Sequence, residues 1–258
     1  MTGGEATAAG PARAGVRSWW LAAGRFFFRY RDICFPLVFL AIALGTRARW
    51  PLQSRACEML TNAAGVAVAL AGQVLRALVI GLAYIRRGGR NRRMHADDLV
   101  REGVFAHSRN PLYLGNLLGL FGLLLIHNSL PGYWVGLPFY LLAYGAIVAA
   151  EEDYLARRFG EEYLSYRRQV PRFLPRLTGL RATLTGMRFD WPRLLRKEYG
   201  TTFAGATAIL ALLLWDRYQL FGAVGARALS RALALWLPLL LAYLTVRTLK
   251  KKGCLGKG

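Results

Sequence analysis

Apolar residues in this chain are gathered into six stretches separated by polar segments. The stretches lie at about 33–45, 60–85, 112–127, 133–150, 201–215 and 231–248. A helix that crosses a bilayer needs about 20 mainly apolar residues, so the longer stretches predict membrane-spanning helices. We therefore predict an all-α fold, a polytopic integral membrane helical bundle of about six spans with a cytoplasmic-side cofactor site. The first and fifth spans are shorter than the hydrocarbon core requires.

Lysine and arginine are unevenly distributed between the polar segments. Segments 1–32, 86–110, 151–200 and 249–258 hold 5, 7, 11 and 4 of them, respectively. The intervening segments 46–59, 128–132 and 216–230 hold 3, 0 and 2. Cytoplasmic loops of membrane proteins carry the excess of positive charge. This asymmetry predicts a multi-pass protein of the cell inner membrane with both termini in the cytoplasm.

Composition supports a membrane protein and argues against nucleic-acid binding, a disulfide framework and a metal site. Apolar residues make up 55% of the chain, charged residues 19%, and the mean hydropathy is +0.27. The net charge is +21, and the basic residues lie in blocks between the apolar runs. This is the pattern of cytoplasmic loops in a membrane protein, so we expect the lipid bilayer as partner and no nucleic acid. Three cysteines without paired spacing indicate neither a disulfide framework nor a zinc site. Three scattered histidines indicate no metal site.

Two polar stretches flank the predicted third and fourth spans. One runs from Leu99 to Tyr113 into the third span, and the other runs from Glu151 to Pro171 out of the fourth. Because a short link makes these spans antiparallel neighbours, the start of one lies beside the end of the other. We therefore expect Arg109, Asn110 and Tyr113 to face Glu151 and Glu152 across roughly one helix diameter, about 10 Å. Pro111 suits the first turn of the third helix.

Glu151 and Glu152 directly follow the apolar core of the fourth span. Charges at such a depth are costly and are usually functional or paired. Adjacent helical residues point about 100° apart, so the two carboxylates do not share one role: one faces the site and the other holds an arginine. The alternative is that both simply end the span in water. We interpret Tyr154, Tyr163 and Tyr166, with Leu155 and Phe159, as interfacial anchors of a helix that lies along the membrane.

The two polar stretches resemble the isoprenylcysteine carboxyl methyltransferases and the related phospholipid N-methyltransferases, which are membrane-embedded enzymes. The shared signature is L-V-x-x-G-x-Y-x-x-x-R-H-P-x-Y-x-G, a hairpin, then E-E-x-x-L-x-x-x-F-G-x-x-Y-x-x-Y-x-x-x-V-P. The first half is matched by Leu99, Val100, Gly103, Phe105, Arg109, Asn110, Pro111, Tyr113 and Gly115. The second half is matched by Glu151, Glu152, Leu155, Phe159, Gly160, Tyr163, Tyr166, Val170 and Pro171.

This resemblance implies S-adenosylmethionine (AdoMet) as the methyl donor and a lipid-like or isoprenoid acceptor at the membrane–cytosol boundary. It implies donor-binding roles for Asp97, Asp98, Leu99, Val100, Phe105, Asn110, Pro111, Leu112, Tyr113 and Glu151. It implies catalytic roles for Arg109, Glu151 and Glu152. Three positions depart from the family pattern: Asn110 replaces a histidine, Phe105 replaces a tyrosine, and Ile147 stands where the eukaryotic prenylcysteine enzymes have a substrate-binding arginine.

The sequence predicts three regions and leaves two other functions open. Residues 1–92 form a basic segment with the first two spans, 93–178 the methyltransferase core, and 179–258 a segment with the last two spans. The first alternative is an NADPH-dependent membrane reductase related to sterol reductases, against which the Glu151–Glu152 pair argues. The second is a membrane scaffold without catalysis, against which the intact Arg109 and glutamate pair argue. The sequence does not predict the oligomeric state.

Overall fold

The fold was examined in a computed structural model, which describes residues 11–48, 54–82, 87–90, 93–96 and 98–255. Eight α-helices account for most of these residues: α1 (Pro11–Gly45), α2 (Arg55–Leu82), α3 (Pro111–His127), α4 (Leu137–Phe159), α5 (Glu161–Gln169), α6 (Leu180–Thr185), α7 (Trp191–Phe221) and α8 (Ala226–Lys251). A 3₁₀ turn at Gly103–Ala106 precedes α3, and a π-helical turn at Gly132–Gly136 leads into α4. The predicted helical bundle is therefore confirmed.

A short antiparallel strand pair is the one departure from the all-α prediction within the described residues. Strand β1 (Arg87–Arg90) pairs with β2 (Arg93–Ala96), with Arg87 opposite Ala96. The pair lies in the basic segment between α2 and the start of the candidate site. Strand β1 consists of arginine and glycine only, and the alternation of Met94 and Ala96 with polar residues in β2 is only four residues long, so periodicity did not predict the pair.

Local sequence explains where the central hairpin begins and turns. Pro111 occupies the first turn of α3, where its missing N–H leaves no hydrogen bond unmade. Asn128 ends α3 in the left-handed conformation at φ 47°, which asparagine tolerates better than most residues. Gly160 separates α4 from α5 at φ +54°. These three residues set the length of the hairpin and the point at which the chain leaves it.

Helices α2 and α3 pack backbone against backbone through glycines. A Cβ atom added to Gly72 would lie 2.5 Å from the carbonyl oxygen of Gly115, and one added to Gly65 would lie 2.7 Å from that of Gly122. Small residues permit such close approach between membrane helices. Gly115 therefore lets α2 approach α3 closely near the start of the candidate site.

Helices α1 and α4 pack through aromatic side chains and one glycine. Phe28 and Phe35 of α1 form a buried cluster with Tyr140 and Tyr144 of α4, and the ring centroids of Phe35 and Tyr144 are 5.1 Å apart. A Cβ atom on Gly24 would lie 2.0 Å from a carbonyl oxygen of α4. This contact places α1 beside the candidate site, although α1 is far from it in sequence.

The described residues of all six predicted apolar stretches lie within helices, but the helix lengths differ from the prediction. By length and composition, three helical segments among the described residues can cross a membrane: Ala56–Leu82, Gly132–Phe159 and Ala226–Lys251. The shorter Pro111–His127 is also apolar. The stretches at 33–45 and 201–215 are parts of the much longer α1 and α7, and the count of six spans stays a prediction. The fourth helix runs to Phe159, so Glu151 and Glu152 lie inside it.

Candidate functional site

The start of α3 and the second half of α4 meet through a direct side-chain contact. The Tyr113 hydroxyl donates to Oε2 of Glu151 at 2.9 Å. Tyr113 stands on the first turn of α3, and Glu151 follows the apolar part of α4. The prediction that these residues face each other is therefore confirmed, and side chains close the gap between the two helices.

Glu152 is the carboxylate that holds arginine. Arg109 Nη1 donates to its Oε1 at 2.6 Å. Arg172 donates to both carboxylate oxygens, from Nε at 3.1 Å and from Nη2 at 2.8 Å. The prediction that one member of the pair binds an arginine is confirmed, and a second arginine, which the sequence did not indicate, shares it. The alternative that both carboxylates simply end the span in water is wrong.

Glu151 has a different environment from its neighbour. Its side chain is buried, with a relative exposure of 9%, and it forms no ion pair with any lysine or arginine of the described residues. Arg31 of α1 contacts the tyrosine that binds Glu151: its Nη1 lies 3.4 Å from the Tyr113 hydroxyl, and its guanidinium lies over the Tyr113 ring at 5.9 Å. Glu151 is thus a buried carboxylate that is oriented by a hydroxyl and is not neutralised by a contact.

Residues 107–110 and 170–176 lie side by side and are joined by several hydrogen bonds. The backbone N–H of Arg109 donates to the Pro171 carbonyl at 2.9 Å, and its Nε donates to the Val170 carbonyl at 2.9 Å. The Asn110 side chain donates to the Arg172 carbonyl at 3.1 Å, and Ser108 donates to the Phe173 carbonyl at 2.8 Å. Asn110 thus joins the two segments, and these bonds bring Arg172 to Glu152.

The remaining predicted site residues differ in burial. Val100, Phe105 and Leu112 pack around Val79 in an apolar cluster, where Phe105 is 2% exposed. Leu99 packs against Leu155 and its neighbours in a second cluster, and Asp98 is exposed. Asp97 lies outside the described residues. Phe105 is therefore a core residue in this structure, and its donor-binding role stays a prediction.

Tyr163 and Tyr166 are core residues. Their relative exposures are 1% and 4%, and the Tyr166 hydroxyl donates to the Phe105 carbonyl at 2.8 Å. The interpretation of these tyrosines as membrane anchors is wrong. They hold α5 against the segment that precedes α3, because an amphipathic tyrosine buries its ring once a carbonyl accepts its hydroxyl.

A buried polar network that the sequence did not predict adjoins the site. Arg76 of α2 binds Glu198 of α7 through two hydrogen bonds of 2.9 and 2.6 Å, and it also donates to Asn116. Asn116 lies one turn after Tyr113 in α3. An arginine inside an apolar run signals a buried partner, but the partner is 122 residues away in sequence.

Ile147 does not line an open surface. It is completely buried among Phe28, Phe35 and Tyr144. Arg31 of α1 is a basic residue that approaches the hairpin from outside on the side of Tyr113, as its contact with the Tyr113 hydroxyl shows. Arg31 was not among the predicted site residues, since its helix lies outside the matched motif.

Comparison with known proteins agrees with the central part of this architecture. The model of the phospholipid methyltransferase family matches residues 60–162. The cobalt-zinc-cadmium resistance protein CzcN of Cupriavidus metallidurans is 35% identical over 121 residues, which cover 47% of this chain and 50% of that protein. The nickel-cobalt-cadmium resistance protein NccN of Alcaligenes xylosoxydans xylosoxydans is 31% identical over 121 residues, or 47% and 51% of the two chains.

The match therefore spans about half the length of these curated relatives, and their names refer to metal resistance without stating a reaction. No solved structure matches this chain. The family match contains α3, α4 and the residues Arg109, Tyr113, Glu151 and Glu152. It supports a membrane methyltransferase. The resemblance carried by the two polar stretches is confirmed: residues 60–162 of this chain match the phospholipid methyltransferase family.

Proposed function

We propose that this protein is an AdoMet-dependent methyltransferase that acts on a lipid-like or isoprenoid acceptor at the membrane–cytosol boundary. The observation that carries the proposal is the contrast between two adjacent carboxylates. Glu152 is neutralised by Arg109 and Arg172, whereas Glu151 is buried with the Tyr113 hydroxyl as its described hydrogen-bond partner.

A buried carboxylate without a cation is costly, because removal from water penalises the charged form. Binding of a cationic ligand offsets part of that free-energy cost, because the ligand's charge attracts the carboxylate. AdoMet fits this requirement, since it carries both a sulfonium and an ammonium group. Glu151 accepts one described hydrogen bond at Oε2, so its other oxygen suits an ammonium or hydroxyl donor. The carboxylate of Glu151 therefore fits the cofactor that the family match implies.

The neighbouring residues act by positioning. Tyr113 fixes the rotamer of Glu151 by its 2.9 Å hydrogen bond. The Arg109–Glu152–Arg172 cluster joins α4 to residues 170–172 and holds the first turn of α3 against both. AdoMet supplies an electrophilic methyl group when it is bound. The work left for the protein is to hold two reactants in line and to exclude water, which a rigid helix hairpin does well.

The position of Glu151 along α4 suits two reactants of different solubility. The preceding segment 132–150 is apolar, and the following residues 157–172 are rich in arginine. Predicted topology places the second group on the cytoplasmic side. A water-soluble donor then reaches Glu151 from the cytosol, and an apolar acceptor reaches it from the bilayer.

The test is transfer of labelled methyl from AdoMet to three acceptors in parallel: phosphatidylethanolamine, a farnesylcysteine analogue and a host lipid extract. We expect labelling of an acceptor whose reactive end is neutral or amine-bearing, because Ile147 provides no charge for a carboxylate. Robust turnover of the farnesylcysteine analogue alone would contradict that expectation. It would also indicate that Arg31 binds the substrate carboxylate, which Ile147 has no charge to bind.

Two controls separate this proposal from its alternatives. Binding of NADPH without AdoMet would favour the reductase, and a folded protein that binds neither would favour the scaffold. Glu161→Gln is the matched control for Glu151→Gln, since Glu161 is a highly exposed carboxylate at the start of α5. If the Glu151→Gln variant retains as much methyl transfer as the Glu161→Gln control, the proposed role of Glu151 is contradicted.

The relatives support a second proposal about physiological context. Both are named as metal resistance proteins and are at least 31% identical to this chain over 121 residues. We propose that this protein also contributes to tolerance of cobalt, zinc or cadmium in its host. Deletion of the gene should sensitise cells to these metals, and wild type but not Glu151→Gln should restore growth. Equal restoration of growth by wild type and by Glu151→Gln would show that metal tolerance does not depend on the chemistry at Glu151.

A further inference from the structure

A second polar site lies at the other end of the bundle. His127 ends α3 and follows Tyr113 by 14 residues, so this site is about 21 Å from Tyr113 at a rise of about 1.5 Å per residue. A small pocket with room for about one water-sized particle lies there between the start of α2, the end of α3 and α7. Its polar lining includes Glu58, Asn62, Asn128 and Asp216.

Asp216 is the buried acid of this pocket. Its relative exposure is 5%, and its Oδ1 accepts from Nδ1 of His127 at 2.8 Å. Its Oδ2 is also buried and has no hydrogen-bond partner among the described residues. An unsatisfied buried carboxylate oxygen is costly, so this atom points to a ligand that the protein itself does not provide.

The orientation of the Asp216 carboxylate is fixed by its hydrogen bond with His127. The Nε2 atom of His127 lies 2.9 Å from the Thr46 hydroxyl, and the His127 side chain is completely buried. Carboxylates that bind metal ions are commonly held by such hydrogen bonds from a second layer of residues. His127 therefore serves as a support for the carboxylate, with both of its nitrogens already used.

Glu58 provides a second carboxylate in the lining of this pocket. It is half-buried in the first turn of α2, and no lysine or arginine of the described residues pairs with it. Asn62 follows one helical turn later and shares its face. No three histidine, cysteine, aspartate or glutamate side chains converge within the described ranges. The pocket thus offers oxygen atoms without the ligand set of a soft transition metal.

We propose that this pocket binds one hard divalent cation, such as Mg²⁺ or Ca²⁺. Asp216 and Glu58 provide the carboxylate ligands, and amide oxygen and water complete the shell. Hard cations prefer carboxylate, carbonyl and water oxygens, and two carboxylates balance a double positive charge. The ion would tie α2 to α7 at the end of the bundle predicted to be extracytoplasmic. This proposal does not depend on methyl transfer.

The experiment uses Mn²⁺ as a probe on the purified full chain in detergent, followed by electron paramagnetic resonance. We expect one Mn²⁺ per chain that Ca²⁺ or Mg²⁺ displaces. Asp216→Asn and Glu58→Gln keep the side-chain shapes and should each weaken binding at least tenfold, a loss comparable to the 10- to 100-fold effect, roughly, of altering supporting residues of metal sites. Glu161→Gln, at the other end of the bundle, is the matched control.

Two outcomes would overturn the proposal. Absence of bound Mn²⁺ on wild-type protein with native helicity would mean that a water molecule satisfies Asp216. Mn²⁺ binding that both variants and the control retain equally would place the ion elsewhere. Circular dichroism and monodispersity establish that each variant is folded, so loss of binding is not mistaken for loss of structure.

Discussion

The Tyr113 hydroxyl donates to Glu151 across 38 residues of sequence at 2.9 Å, and it joins the first turn of α3 to α4. The adjacent Glu152 turns to the other side and binds Arg109. Two neighbouring carboxylates thus have separate roles because consecutive helical residues point about 100° apart.

Replacement of Glu151 tests the proposed donor site. Glu151→Gln keeps the shape and removes the charge, and a hydrogen bond to a charged group is worth about 1.5–3 kcal/mol. We expect AdoMet and S-adenosylhomocysteine to bind roughly ten- to a hundredfold more weakly by calorimetry, with membrane insertion unchanged. Unchanged affinity would reduce Glu151 to a residue of the helix surface.

The two arginines on Glu152 should differ in their contribution to stability. Arg109 is 10% exposed and Arg172 is 40% exposed. Breaking a buried ion pair costs about 3–5 kcal/mol, whereas an exposed pair is worth about 0–1 kcal/mol. Arg109→Ala should therefore lower the unfolding temperature far more than Arg172→Ala. Equal effects in a thermal unfolding assay would contradict the burial-based ranking.

The Arg76–Glu198 pair joins α2 to α7 in a buried setting, with side-chain exposures of 14% and 4%. Arg76→Met and Glu198→Leu should each destabilise by about 3–5 kcal/mol, since each leaves one charge buried alone. The double variant should be more stable than either single variant. A double-mutant cycle that gives strictly additive losses would show that the pair is not coupled.

Close packing of α2 on α3 requires glycine at position 72. Its added Cβ would lie 2.5 Å from the Gly115 carbonyl oxygen and 2.8 Å from a backbone nitrogen, and backbone atoms yield poorly. Gly72→Ala should destabilise by about 1–3 kcal/mol, as overpacking does. Gly205→Ala in α7, where the added atom meets open space, is the control and should be neutral or stabilising.

Topology has its own test. Both termini, residues 86–110 and residues 151–200 should be cytoplasmic, as the lysine and arginine bias predicts. Single cysteines from Glu161→Cys and Ala56→Cys, in a background without native cysteines, should react with impermeant reagent from opposite sides of the membrane. Labelling of both from the same side would refute the six-span arrangement.

Much of the hairpin was predictable because its determinants are local. Pro111 marks the first turn of α3, and the short link after His127 makes α4 antiparallel to it. That geometry alone brings Tyr113 towards Glu151. The extent of α4 was less predictable: polar residues from Glu151 onward suggested an end, yet the helix continues to Phe159, since tertiary partners accept the charges.

Tyr163 and Tyr166 show why a local pattern misleads. Tyrosine beside apolar residues near a membrane end fits an interfacial anchor, and the same pattern fits a buried contact with a satisfied hydroxyl. The decision depends on the Phe105 carbonyl, which accepts from Tyr166 at 2.8 Å. No feature of residues 160–170 records the position of that carbonyl.

The sequence by itself determined the membrane class, the helical bundle and the pairing of α3 with α4, because hydropathy, charge bias and a short link act over neighbouring residues. Only the tertiary structure decided which glutamate Arg109 neutralises, that Arg172 joins it, and that Arg76 finds Glu198. The physical reason is that a buried charge needs a partner but does not specify its position in the chain. Glycine contacts and ring packing between distant helices choose that partner.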